Sequence, residues 1–507
     1  MKKNSLITLF LLWSVYLIAQ DTKLPVFITD SLDNYITKGI EEWNIPGLSV
    51  AIVKDGKVVL MKGYGVTKVG GSIPVNENTL FMIGSNTKAF TAVSLSILQE
   101  SGVISLNDKV QKWMPDFRLK DPLASKNVEI VDLLSHRIGF EAFQGDFTFW
   151  TSNLTREQVI NKMSLIDPPY GFRTKWGYSN AAFVAAGQLI PRIIGRSWEA
   201  TVRDSILIPL KMNSTLMLAE ELKNAQNIAY PHTVVDDRIV EIPFANIDNL
   251  GPAGSMSSNA KDMSRWLFAQ LENGKVDEKQ IISPNVFENI RNPYSIIAFD
   301  PRDGQQTHFY LYGLGISIND KAGKLVYSHA GGIDGFLSFV MFVPEEKLGI
   351  VVLTNTNHNK FFQSLGNEIL GAFLDLPYQG YSYKSLKSYK TNKVNSDNHL
   401  DSLRRVIMLN NKPSLSLSQY VGKYNNDVYG DIEVRLENGK LNIYFSNHPD
   451  LVGKLDHIQN DSFLCVYSNP SMGIFEIPFK IKDGKVMGLT LRVSDFIEFT
   501  PYEFKKI

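Results

Sequence analysis

The chain reads as two folding units. The first is an α/β unit whose sheet is built from N- and C-terminal segments with a helical region inserted between them. The second is a small all-β barrel behind a polar linker. Three observations predict this. Apolar, β-branched runs at 47–53 and 58–64 flank Lys54-Asp55-Gly56-Lys57, a hairpin signal, and such runs return at 312–318, 335–343 and 348–355. Between the two sets, as far as about residue 274, the apolar spacing is mostly helical, with long loops. After residue 416 the period drops to two: Ile432, Val434 and Leu436, then Leu441, Ile443 and Phe445, with Asn438-Gly439 at the turn. Phe475, Ile477, Phe479 and Ile481 repeat the pattern around Asp483-Gly484 with Met487, Leu489, Leu491 and Val493.

In chain order, Lys2-Lys3 precedes an apolar run from Leu6 to Ala19, so residues 1–20 read as a secretory signal. The run is short for a membrane span, which needs about 20 apolar residues, and no stable membrane anchor is expected. Residues 31–43 form an amphipathic helix, and the hairpin follows. A buried helix starts at about Ser85 and stops at Ser101-Gly102. Val128 to His136 is a second, short helix, and a last one runs from about Phe362 to Leu374. The first unit spans 21–378. Residues 379–415, rich in Ser, Lys, Asn and Tyr, read as a linker with one short helix at 400–409. The barrel takes 416–507.

The chemistry centres on Phe81-Met82-Ile83-Gly84-Ser85-Asn86-Thr87-Lys88-Ala89-Phe90. On a helix, residues three apart share a face, so the Lys88 amine reaches the Ser85 hydroxyl. A serine hydroxyl is a poor nucleophile until a neighbour takes its proton. Lysine takes it only when neutral, and burial and the positive end of the helix dipole both favour that state. The helix start also offers the Ser85 N–H as an oxyanion donor. Alone, Ser-x-x-Lys equally describes a serine cap with an exposed lysine one turn on.

Two further stretches lift the signal: Gly177-Tyr178-Ser179-Asn180, and Ser328-His329-Ala330-Gly331-Gly332-Ile333-Asp334-Gly335-Phe336. With these, residues 30–375 resemble the serine β-lactamase and penicillin-recognising family. The likeness is closer to its class C-related branch of serine hydrolases and D-amino-acid peptidases, with S-x-x-K, Y-x-N and H-x-G in that order. Leu133-Leu134-Ser135-His136, Ile208-Pro209-Leu210-Lys211-Met212 and Pro252-Ala253-Gly254-Ser255-Met256 also look like the family. The barrel resembles the lipocalin-like domains appended to some members. The resemblance implies a β-lactamase-like fold, an antiparallel sheet flanked by helices with a helical insertion.

It also implies roles. Ser85 attacks a carbonyl and forms an acyl-enzyme. Lys88 and Tyr178 share proton transfer, with Lys88 as the charge that lowers the Tyr178 phenol; which of the two is the base stays open. Asn180 donates to a substrate amide oxygen. Gly331 and Gly332 lie on a sheet-edge strand where substrate backbone approaches, and the Gly332 N–H is the second oxyanion donor. His329 takes the place of the family's lysine and gives substrate a hydrogen bond without a charge. His136 reads as structural, because no carboxylate motif accompanies Ser135-His136 to make a triad.

Composition narrows the rest. Of 507 residues 44% are hydrophobic and 21% charged, ordinary globular values. Formal net charge is zero, and removing residues 1–20 makes it −2, so nucleic acid is not an expected partner. One cysteine, Cys465, excludes an intrachain disulfide, and no histidines pair at metal-ligand spacing, so no metal or cofactor is expected. The expected function is an exported serine hydrolase acting on amide or ester bonds of a small-molecule or peptide substrate, D-residue or cell-wall-like peptides first. β-Lactamase and small-ester hydrolase are alternatives. A non-catalytic binding or sensor protein of the same fold is the rival from another class.

Overall fold

The computed structural model describes residues 24–300 and 307–507. The expected signal at 1–20 lies outside them. Among the described residues no helix is long and apolar enough to cross a membrane.

Helix α1 (Leu32–Glu42) leads into the hairpin β1 (Gly47–Lys54) and β2 (Lys57–Gly65). The helical region contains α2 (Thr87–Glu100), α3 (Ile130–Leu134), α4 (Asp146–Phe149), α5 (Asn180–Ile194), α6 (Gly251–Gly254) and α7 (Ala260–Leu271). The chain then returns to the sheet with β3 (Ser295–Phe299), β4 (Phe309–Tyr312), β5 (Ser317–Lys321), β6 (Lys324–Ile333), β7 (Phe336–Val343) and β8 (Leu348–Thr354). Helix α8 (Phe361–Phe373) closes the unit.

The sheet is antiparallel, in the order β2-β1-β8-β7-β6-β5-β4-β3. First and last segments therefore pair directly, as the second and third strands from one edge, with Val50 opposite Val352. Strands β1, β7 and β8 are buried nearly throughout, as the continuous apolar runs require of strands covered on both faces. Leu48, Val50 and Ile52 face α1 and α8, whereas Ala51, Val53, Val351 and Leu353 face the helical region. The expected strand at 312–318 is instead broken by a turn at 313–316: Tyr312 ends β4, and Ser317 and Ile318 begin β5. Gly315 there has φ +69°, and a Cβ on it would lie 2.7 Å from the Lys88 carbonyl oxygen.

Residues 379–415 also differ from expectation. They hold a 28-residue helix, α9 (Tyr381–Met408), in place of a linker with one short helix. Only Ser382 and Leu386 in it are buried, so there is almost no apolar period to read. Contacts at its start fix it: Trp43 donates to Ser382 Oγ at 3.0 Å, and Lys321 to the Tyr381 hydroxyl at 2.7 Å.

After it come eight strands that close a barrel: β9 (Gly422–Asn426), β10 (Gly430–Glu437), β11 (Lys440–Phe445), β12 (His448–Gln459), β13 (Ser462–Tyr467), β14 (Ile474–Lys482), β15 (Lys485–Leu491) and β16 (Tyr502–Lys506). Cys465 is buried inside it. The barrel does not stand apart. Phe147 of α4 enters its mouth and stacks on Tyr429 and His448 at 5.1 and 5.2 Å, and His448 Nε2 donates to the Trp150 carbonyl at 2.8 Å. The two units share one continuous apolar core.

Candidate active site

Ser85 lies in a 3-10 turn, Gly84–Asn86, directly ahead of α2. Its neighbours from Phe81 to Phe90 are buried, and Ser85 alone is partly exposed. Gly84 makes the turn possible: its φ is +52°, and a Cβ would sit 2.9 Å from Gly332 N. Close approach to β6 explains Gly331 as well, because a Cβ there would meet the Ile83 carbonyl oxygen at 2.0 Å. The bare strand thus accommodates the chain's own Ser85 turn at Gly331. Strand β6, expected at a sheet edge, lies instead between β5 and β7. Its pairing with β5 ends at Ser328, so His329–Ile333 are left without a neighbour on that side.

One turn beyond Ser85, at the start of α2, Lys88 is fully buried. Its ammonium donates to Ser85 Oγ at 3.1 Å, to Asn180 Oδ1 at 2.6 Å and to the Ala253 carbonyl at 2.7 Å. Burial pulls its pKa down to about 7, opposed by the nearby Asp146 carboxyl. A share of Lys88 is therefore neutral near pH 7, the form that base chemistry at Ser85 requires.

Tyr178 packs over Lys88, with the amine 4.7 Å from the ring centroid. Burial holds its phenol well above the ordinary range. The hydroxyl is turned toward Ser85, which eases that rise, but the geometry falls short of a hydrogen bond. The phenol is thus raised, against the expectation that Lys88 would lower it: desolvation dominates, and the Asp146 carboxyl adds to it.

Asn180, the first residue of α5, is held between two partners. Its oxygen accepts from Lys88, and its nitrogen donates to Asp146 Oδ2 at 2.6 Å. It lies on the cavity wall beside Ser85, but its hydrogen bonds are to the chain itself and not to an open substrate position. His329 departs further from expectation. Its Nδ1 donates to the Ala330 carbonyl at 2.7 Å and its Nε2 accepts from the Tyr312 hydroxyl at 2.9 Å. Both nitrogens are used, so neither is free to bind substrate, and burial lowers its pKa to about 3. His136 has the structural place expected of it: with φ +58° it accepts from the Ser179 N–H at 3.0 Å, and its ring lies 4.3 Å from that of Tyr178.

Ser85, Trp150, Asn180, Ile247, Leu250, Ala253, Gly254 and Gly332 enclose a cavity of about 10 Å³, roughly the room of one water. Larger hollows of about 310 to 680 Å³ lie away from Ser85. The barrel forms part of the roof. The Phe496 ring lies where a Cβ on Gly332 would meet it at 3.0 Å, and meets Trp150 edge-on at 6.3 Å. Trp150 is fixed by Asp334, which accepts its indole N–H at 3.1 Å. Asp146, Trp150 and Phe496 were not singled out from sequence. None carries a local pattern, and only the packing of distant segments brings them to Ser85.

A family model described as Beta-lactamase matches residues 32–372, two thirds of the chain. The chain belongs to that family, whose fold is that of serine hydrolases. A second model, a domain of unknown function (DUF3471), matches residues 408–506. Among curated relatives, the unguisins hydrolase ungD' of Aspergillus campestris is 30% identical over 340 residues, 64% of this chain. The match spans 61% of that relative's own length. Among solved structures, the octameric penicillin-binding protein homologue from Pyrococcus abyssi is similar over 94% of this chain and 99% of its own, with TM-score 0.60 and 21% identity. The D-amino acid amidase from Ochrobactrum anthropi SV3, complexed with L-phenylalanine amide, is similar over 69% of this chain and 96% of its own, with TM-score 0.55 and 22% identity. At these identities the two structures show a shared fold.

Proposed function

We propose that this family member is an active serine hydrolase that forms an acyl-enzyme on Ser85 and cleaves amide or ester bonds, with D-residue or cell-wall-like peptides and D-aminoacyl amides as first substrates. One observation carries the reading: the Ser85 hydroxyl lies 3.1 Å from a fully buried lysine whose pKa is about 7. That pairing supplies a base at neutral pH without a histidine. Lys88 takes the Ser85 proton. Tyr178, which keeps its own proton, gives it to the leaving group and recovers one from Lys88. The Ser85 and Gly332 N–H groups face the developing oxyanion.

The neutral His329 bears on substrate choice. Penicillins and peptides ending in D-alanine present a carboxylate, and a charge-assisted bond to it is roughly twice as strong as a neutral one. His329 offers neither charge nor a free nitrogen. Amides, esters and peptides cleaved at their amino end are therefore favoured over β-lactams. The Lys2-Lys3 start and the apolar run after it support export, to the periplasm or beyond the cell.

The test is a hydrolysis screen with D- and L-alanine amide, p-nitrophenyl acetate and nitrocefin, on wild type and Ser85→Ala. Turnover of an amide or the ester that vanishes in Ser85→Ala is expected, with nitrocefin the poorest substrate. Turnover that survives Ser85→Ala overturns the mechanism, and a preference for nitrocefin overturns the assignment of substrates.

A further inference from the structure

The barrel does more than roof the cleft. Between β15 and β16 the chain turns inward, and Glu498, only 2% exposed, reaches the catalytic unit. Its two oxygens accept the backbone N–H groups of Gly145 at 2.7 Å and Phe147 at 2.9 Å, on either side of Asp146. The Tyr502 hydroxyl donates to it at 2.8 Å. Asp146 in turn accepts from Asn180 at 2.6 Å, and Asn180 accepts from Lys88 at 2.6 Å. An unbroken path of contacts thus runs from a carboxylate on one unit to the lysine beside Ser85 on the other.

We propose that Glu498 is a positioning residue for the hydrolase site: by holding the Gly145–Phe147 turn it sets the place and charge of Asp146, and through Asn180 those of Lys88. This rests on the reading of Ser85 and Lys88 given above.

The electrostatics give the proposal a sign. Asp146 and Glu498 are like charges in a buried region, and each is pushed up by burial, Glu498 to about 7. Glu498 also raises Asp146, so Asp146 tends to stay protonated. An ionised Asp146 would favour the Lys88 ammonium, and a neutral one leaves Lys88 free to lose its proton. The other titratable groups facing Lys88 are Tyr178, which stays protonated, and His136 and His329, both held neutral by burial. Glu498 faces Glu141, Asp146 and Tyr502.

Removing the Glu498 charge lets Asp146 ionise more easily and raises the Lys88 pKa. Removing the Asp146 carboxyl lowers it only slightly, because little of Asp146 is ionised in wild type. The experiment measures the rate at which a fluorophosphonate labels Ser85 from pH 5 to pH 9 in the full chain, for wild type, Glu498→Gln, Asp146→Asn and Tyr502→Phe. Thermal melting checks folding. The acid limb of the profile should move up by about one pH unit in Glu498→Gln and only slightly down in Asp146→Asn. Labelling by Glu498→Gln at neutral pH should fall about tenfold or more, since small displacements at a reacting group are costly. Tyr502→Phe strips one donor from Glu498 but leaves both backbone bonds, so it should move the limb in the Glu498→Gln direction by less. It also decides the matter if Glu498→Gln does not fold. A limb that stays at the wild-type pH in every folded variant overturns the proposal, because a purely structural role alters the amount of active protein and not its profile. Wild type that is not labelled at Ser85 overturns the hydrolase reading, and this inference with it.

Discussion

Lys88 and Tyr178 touch, yet burial drives their proton affinities in opposite senses, and this divides the labour between them. In the proposed mechanism a lysine near pKa 7 serves as the base, and a phenol that stays protonated serves as the donor. The division predicts that Tyr178→Phe lowers amide hydrolysis by about 100-fold or more, the usual range for a general acid. Labelling by a fluorophosphonate, whose fluoride needs no proton to leave, should fall far less. Equal losses in stopped amide assays and labelling assays would return the base role to Tyr178. His329→Lys makes a second test. Into a buried site beside Lys88 it would bring a second amine and leave the Tyr312 hydroxyl without its acceptor. It should lower the melting temperature and confer no nitrocefin turnover. A gain in nitrocefin turnover would show that position 329 does face substrate. Spacing made Ser85, Lys88 and Tyr178 legible, because motif residues keep their order along the chain. It could not reveal the orientation of His329, which depends on Tyr312 at the end of β4, two strands away in the sheet.

At the scale of elements, the site depends on how closely the Ser85 turn lies against β6. Gly331 has no room for a side chain, with the Ile83 carbonyl 2.0 Å from its would-be Cβ. Gly331→Ala should therefore force the turn and strand apart, costing about 1–3 kcal/mol in stability, as overpacking does. Hydrolysis should fall more steeply than stability, because Ser85 and the Gly332 N–H would separate. Denaturant melts and kcat/KM measured on the same preparation would show this, and wild-type values in both would mean the contact is loose. The elements most legible in the sequence are those with a strong period. The hairpin at β1 and β2, α1, α8 and the barrel's alternating strands all lie close to where their patterns place them. Helix α9 was not legible, because a helix with two buried residues has no stripe to read. The 312–318 stretch misleads for the opposite reason: its apolar residues pack inside, but Gly313 and Gly315 break the strand into a turn.

At the scale of the whole molecule, the alternating pattern after residue 416 suggests a barrel that could be removed. The shared core argues otherwise. Without it Phe147 would lose Tyr429 and His448, and the Gly145 and Phe147 N–H groups would lose Glu498. A chain ending at residue 378 should be poorly soluble or melt well below the intact protein, and should hydrolyse substrate at a small fraction of its rate. A truncated unit that melts and turns over like the full chain would show that the interface is dispensable. Sequence does not expose this dependence, since Phe147 and Glu498 are separated by most of the chain and neither belongs to a motif. All three scales converge on Ser85, and one measurement tests that point most directly. The intact mass of the full-length protein, taken within milliseconds to seconds of mixing with p-nitrophenyl acetate, should show one added acetyl group that maps to Ser85 and then decays. Ser85→Ala should show none. An acetyl group on another residue, or turnover with no covalent intermediate and an unlabelled Ser85, would contradict the account.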